Sequence, residues 1–344
     1  MKRYSSFVVL ALALALAVPA SASARIFGAE VGGNFFNQRW GLWSPSQVMS
    51  SLNALYAAGG RVGRADSDWG NAEPKAPVHG RHTYNWAYND MIVSEMAQAR
   101  LRWEPTLQYT PKWGQVHRSN VLHLKSGRFI TPLPPANNKN FAAYATAFMR
   151  RYGVRGSFWA AHSSLPYVPV NTVEVWNEPD NNHNWGPRID LSEYARMYEA
   201  VRAAVHRVNR GARVVTGGLA WTHSSLPRLL KAFEGKRIDA VAVHPYAATP
   251  KATVSSVRYA LSQMRQYHRG RTPMVVNEYG WTSVRGTWGS TNPKHVTQYV
   301  YEALVGLSKL RIAQILPFEW TDPSWGLSGG QFARAVAQIT HGRL

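Results

Sequence analysis

Apolar positions along the chain recur in two alternating patterns. Short runs of β-branched and other apolar residues, bounded by Gly, Pro or Asn, predict buried strands, while longer segments with apolar residues three and four apart predict amphipathic helices. The first strand covers Ile26 to Val31. Val48, Leu52 and Leu55 then mark a helix over 46–58, which Gly59-Gly60 ends. The same patterns predict strands at 61–65, 103–109, 172–176, 213–216, 238–243, 273–277 and 312–318. They place helices at 86–100, 141–152, 192–209, 226–233, 254–267 and 294–310, and a last one at 331–339. A helix at each crossover means that the strands run parallel. Eight such units define the expected fold class: α/β, a single-domain (β/α)8 TIM barrel, with insertions in the loops 111–140, 153–171 and 281–293. A doubly wound open sheet is the runner-up, weakened because no GxGxxG turn follows the first strand.

Residues 1–24 stand apart from this pattern. Lys2 and Arg3 precede a continuous apolar run from Phe7 to Val18, and Ala22-Ser23-Ala24 provides a small-residue cleavage site. This is the tripartite form of a secretory signal peptide. A secreted, extracellular protein is expected, its catalytic domain spanning 25–344. A retained N-terminal anchor is the alternative. No later segment is long and apolar enough to span a bilayer.

Composition narrows the chemistry. The 344 residues contain no cysteine, which excludes disulfides and thiolate metal sites and leaves stability to a large core. Lys plus Arg number 39 against 19 Asp plus Glu, and the chain without Lys2 and Arg3 carries +18. Such a charge suits an anionic glycan. The basic residues are mostly Arg and scattered, with no run of the kind nucleic-acid tails carry, so compositional drift is preferred and nucleic acid is not expected as a partner.

Active sites of barrels of this kind lie at the C-terminal strand ends. Arg64, Asp66 and Trp69 stand there on the second strand, Gln108, Tyr109 and Trp113 on the third, and Asn177 and Glu178 on the fourth. His244 and Tyr246 follow the sixth strand, Glu278, Tyr279 and Trp281 the seventh, and Glu319 and Trp320 the eighth. Glu178 and Glu278 each follow an Asn, on strands roughly opposite each other across the mouth. Two carboxyl groups facing one bound sugar are what glycoside hydrolysis requires: one protonates the leaving oxygen, the other attacks or activates water. A proton donor needs a pKa raised by burial or negative charge, and a nucleophile must stay ionised beside a cation. Eight tryptophans at or just after strand ends (Trp69, Trp113, Trp185, Trp221, Trp281, Trp288, Trp320 and Trp325) offer flat faces for pyranose rings. Trp40, Trp86, Trp103 and Trp159 are left to core or surface. Asp66 and Glu73 are weaker candidates, as sugar contacts or loop caps, and Glu319 is open either way. No HxH or HExxH pair occurs, so neither metal nor cofactor is expected.

The motifs VEVWNEPD around Glu178, VVNEYGW around Glu278, HPY at 244–246, GRVGRADSDW with Arg64 and ILPFEWTDPSWG with Trp320 occur in this order over nearly the whole mature chain. Together they resemble the clan of glycoside hydrolase barrels with catalytic glutamates on strands four and seven, family 39-like first and family 5 cellulase-like next. The resemblance implies Glu178 as acid/base and Glu278 as nucleophile, with net retention of anomeric configuration. It implies Asn177 at the sugar 2-hydroxyl, Arg64 paired with Glu278, Tyr246 or His244 orienting that nucleophile, and Trp320 flooring the −1 subsite. Many members carry Thr or Ser just before the nucleophile, where this chain has Asn277. A monomeric retaining hydrolase of a polysaccharide or β-glycoside is expected. The rival is a noncatalytic glycan-binding barrel that has kept the site shape.

Overall fold

In the computed structural model, residues 25–32, 43–116, 133–186, 188–286, 289–325, 327 and 330–341 are described. The expected signal peptide, Trp40, Trp288 and much of the 111–140 loop lie outside them. The strands are β1 Ile26–Glu30, β2 Val62–Asp68, β3 Arg102–Gln108, β4 Thr172–Val175, β5 Arg213–Thr216, β6 Val241–Val243, β7 Met274–Val276 and β8 Gln314–Ile315. All pair in parallel in the order β5-β4-β3-β2-β1-β8-β7-β6. Parallel bridges Val215↔Ala240 and Leu219↔Val243 join the two ends and close the barrel. The fold is the expected (β/α)8 barrel.

The helices are α1 Pro45–Ala57, α2 Trp69–Ala72, α3 Ala87–Gln98, α4 Asn138–Tyr152, α5 Ser157–Ala161, α6 Leu191–Val208, α7 Thr222–Ala232, α8 Pro250–Gln266, α9 Val296–Ser308 and α10 Gly330–Thr340. Local chemistry explains their starts. Ser44 and Gln47 form a reciprocal capping box ahead of α1, and Asp190 caps α6 by accepting from the Ser192 and Glu193 amides. Helix α7 begins four residues before the expected 226 and runs through Pro227. Proline cannot donate to the carbonyl four residues back, that of His223, and the Tyr259 hydroxyl donates to it instead, at 3.1 Å. Two short helices, α2 and α5, were not expected; neither is long enough to show a helical period.

Strand β2 extends three residues beyond its expected end, through Asp66 and Asp68, because its whole length pairs with β3. The barrel also changes what an alternating strand means. In β4, Val173 and Val175 pack into the core, but Glu174 between them is equally buried. One side of a closed strand faces the helices and the other the barrel interior, and neither faces water.

Candidate active site

Arg64 organises the barrel's upper interior. Its Nε donates to Glu174 Oε2 at 2.6 Å, Nη1 to Glu30 Oε2 at 2.5 Å and Glu278 Oε1 at 2.8 Å, and Nη2 to Asn177 Oδ1 at 2.9 Å. One guanidinium thus serves three carboxylates from three strands, almost wholly out of water. The carboxylates respond differently. Burial pushes Glu30 well up despite Arg64. Burial also works against Glu174, but Arg64, His244 and the Gly218 amide outweigh it and hold the carboxyl below its usual range. The difference lies in donors. Glu174 also accepts from Thr106 Oγ1, Gly218 N and Asn277 Nδ2 at 2.8–2.9 Å, whereas Glu30 has only the Gly32 amide besides Arg64.

Glu178 is presented by a sharp exit from β4. Trp176 (φ 68°) and Glu178 (φ 45°) both adopt left-handed backbone, which costs an L-residue about 1–3 kcal/mol. The Trp176 indole, buried, donates to Asn184 O, and the Glu178 amide donates to Gly218 O, so the turn is fixed from both sides. Glu178 Oε2 accepts from Asn181 Nδ2 and Asn184 Nδ2, each at 2.9 Å. Its Oε1 faces His244 Nδ1 at 3.1 Å, and the same nitrogen lies 3.5 Å from Glu278 Oε2. Tyr246 donates to Glu278 Oε2 at 3.1 Å. His244 Nδ1 and one oxygen from each glutamate lie within 4.8 Å of one another. That spacing suits either a cation or a shared proton, and both carboxylates also accept from protein donors. Asn177 keeps its Nδ2 group for a ligand, since its Oδ1 is taken by Arg64.

The free site differs from one expectation. Burial alone would raise the Glu178 carboxyl, but the His244 contact, Asn181 and Arg64 hold it below its usual value. Burial opposes a charge on His244, yet Glu278 and Glu178 prevail and raise its pKa. Both shifts favour an ionised Glu178 beside a protonated imidazole.

The aromatic residues divide sharply. Trp69 is buried beside Phe141 and Tyr144 and donates to Glu73 Oε2. Trp281 is buried and donates to Ala247 O. Trp320 is buried, packs on Phe332 of α10 and donates to Ser51 O of α1. Trp185 is buried against Trp176. These four are core rings, not sugar platforms: each is almost wholly out of water, and the indoles of Trp69, Trp281 and Trp320 donate to protein acceptors. Trp113, half-buried, stands edge-on to Trp69 and donates to Glu73 O. Trp221 is exposed. Beside Tyr246 stand Phe318 and Trp325, both half-buried, with centroids 4.8 Å apart and each within 6.5 Å of the Tyr246 ring. The peptide between Phe318 and Glu319 is cis.

Of the weaker candidates, Glu73 is a fully buried brace for Trp69 and His82. Asp66 and Glu319 are half-buried near the mouth, and burial pushes each up to about 7. Five site residues escaped the sequence analysis: Glu30, Glu174, Asn181, Asn184 and Phe318. A carboxylate inside an otherwise apolar strand was a usable signal for Glu30 and Glu174. The two asparagines gave none, because only the turn after β4 folds them back onto Glu178.

A buried arginine–carboxylate network beneath two close glutamates, at the C-terminal mouth of a (β/α)8 barrel, defines a glycoside hydrolase. The chain belongs to the glycosyl hydrolase catalytic core family, whose profile it matches over residues 137–312. Its fold is similar to that of a monomeric β-xylosidase from Caulobacter crescentus, with 18% identity and a TM-score of 0.64 over 92% of this chain and 68% of that one. It is likewise similar to the GH39 enzyme of Xanthomonas axonopodis pv. citri (16% identity, TM-score 0.65, 93% and 66% covered). A third similar fold is GH5_18 of Streptomyces cattleya (13% identity, TM-score 0.61, 93% and 81% covered). The chain thus spans about two thirds of the GH39 proteins. No curated protein matches its sequence. Among the described residues no helix is long and apolar enough to cross a membrane.

Proposed function

We propose that this hydrolase cleaves β-glycosidic bonds with retention, through a covalent intermediate on Glu278. The supporting observation is that Glu178 and Glu278 approach within 4.8 Å, close to the ~5–5.5 Å of retaining enzymes and too near for a water between them. Glu278, with Arg64 and Tyr246 on its two oxygens, attacks the anomeric carbon. Glu178 gives a proton to the leaving oxygen, the alcohol departs, and a glycosyl ester remains. Glu178 then takes a proton from water, which attacks the same carbon and releases the sugar with its original configuration. Asn177 Nδ2 bonds the 2-hydroxyl, and Phe318 and Trp325 cover the sugar's apolar face.

Because similar folds include β-xylosidases, β-xylosides are the first substrates to test. Proton NMR of the first-formed product should show the β-anomer, and Glu278→Gln should reduce turnover to background while glycan binding persists. An α-anomer as first product overturns the retaining mechanism. We propose further that the enzyme acts as a monomer outside the membrane. Export is supported by the Lys2-Arg3 start, the apolar run and the Ala22-Ser23-Ala24 site. Mass spectrometry of the protein from culture medium should find an N-terminus near Arg25.

A further inference from the structure

Two buried polar atoms beside the acid/base have no hydrogen-bond partner: His244 Nε2 and Asn277 Oδ1. They face the same point. A methyl group built on Gly218 would lie 2.0 Å from Nε2 and 2.7 Å from Oδ1, so the two atoms are at most about 4.7 Å apart. Any side chain at position 218 would stand between them, so glycine keeps the gap between the two atoms open. The Asn277 amide has a fixed orientation, because its Nδ2 donates to Glu174 Oε1 at 2.8 Å and Glu174 is held in turn by Arg64 and Gly218 N. The oxygen turned toward His244 can only accept. A nitrogen that closes the short gap to this oxygen must therefore carry a hydrogen.

We infer that Asn277 is a positioning residue that keeps a proton on His244 Nε2, so that Nδ1, the nitrogen facing Glu178, is the one that gains and loses a proton. The inference rests on the acid/base role of Glu178. With Nε2–H fixed, the doubly protonated ring passes the Nδ1 proton to Glu178 Oε1, leaving neutral imidazole and a carboxylic acid. That acid gives its proton to the departing oxygen. In the second half-reaction Glu178 takes a proton from water and His244 Nδ1 recovers it. Without the acceptor, the ring is neutral with Nδ1–H and a bare Nε2. It then solvates the Glu178 carboxylate and has no proton to give.

Charged and titratable groups face the ring from every side. Glu178 lies on the β4 turn, Glu278 at the end of β7, Arg64 on β2 and Tyr246 beyond β6. Glu174 acts from beneath through its charge. The two glutamates favour the second proton on the ring and Arg64 opposes it. Asn277 decides which nitrogen holds the first.

The test has an arm that needs no substrate. In the full chain labelled with 15N-histidine, the His244 resonances, assigned by their loss in His244→Gln, should show Nε2 protonated throughout and Nδ1 titrating. Nε2 as the titrating nitrogen overturns the inference, whatever the activity. The kinetic arm compares phenyl and 2,4-dinitrophenyl glycosides of one sugar, the second of which leaves without acid help. In Asn277→Leu, hydrolysis of the phenyl glycoside should fall about tenfold or more, and the alkaline limb of its pH profile should move down by about one unit. The dinitrophenyl glycoside should stay within about threefold of wild type. An equal fall on both substrates, or an unmoved limb, overturns it. If no aryl glycoside is hydrolysed by the wild type, the hydrolytic mechanism fails and the NMR result alone decides this inference.

Discussion

Glu174 and Glu30 share the Arg64 guanidinium, yet their substitution should have different consequences. Glu174 accepts four buried hydrogen bonds: Arg64 Nε and Thr106 Oγ1 on one oxygen, Gly218 N and Asn277 Nδ2 on the other. Glu174→Gln turns one oxygen into a donor, and either orientation sets it against two donors. Orphaning two buried donors and removing the charge opposite Arg64 costs about 3–5 kcal/mol. For a domain of this size each kcal/mol is worth about 2–3 °C, so the melting temperature should fall by about 6–15 °C at pH 7. Glu30 is already held at a cost, its ionised form opposed by burial. Glu30→Gln keeps an acceptor for Arg64, sets its amide against only the Gly32 N–H and removes that cost, so melting should change by less than about 3 °C. The pH dependence gives a second check. The folded pKa of Glu174 is lowered, so its contribution is present in full above the unfolded value near 4.3 and is lost as pH falls through the folded value. The gap between wild type and Glu174→Gln should narrow below about pH 4. Calorimetry of both variants from pH 3 to 8 measures this. Equal losses at pH 7, or a loss under about 2 °C for Glu174→Gln, would refute the reasoning.

Two further outcomes are expected. Burial pushes Asp66, Glu95, Glu104 and Glu319 up to about 7, so each adds stability that is present at low pH and is lost as pH rises toward 7. Thermal scans should find the chain more stable near pH 5 than near pH 8, and Glu104→Gln should flatten that slope; a maximum at pH 8 would contradict it. Trp325→Ala removes a half-buried ring beside Phe318 and Tyr246 and should raise KM about 3–10-fold with little change in kcat, whereas Trp320→Ala should lower thermal stability and leave KM nearly unchanged.

The sequence by itself determined the barrel. Eight apolar runs separated by helical periods leave parallel closure as the packing that buries them, and the order of strands needs no information beyond the chain. It also placed Glu178 and Glu278 together at the barrel mouth, because both Asn-Glu pairs follow Val-rich strands whose C-terminal ends converge there. Tertiary structure alone decided which aromatic rings are packed into the core and which stand at the mouth beside Tyr246. A tryptophan after a strand reads identically whether it turns toward the mouth or into the helix layer, so Trp69, Trp281 and Trp320 resembled platforms while Phe318 was overlooked. The same holds for charge. Charge is favoured on both His244 and Glu178 because three strands bring Arg64, Glu174, Glu278 and Asn277 around one imidazole. Such a balance depends on distances of a few ångströms between residues that lie from tens to more than two hundred positions apart, which no local pattern records.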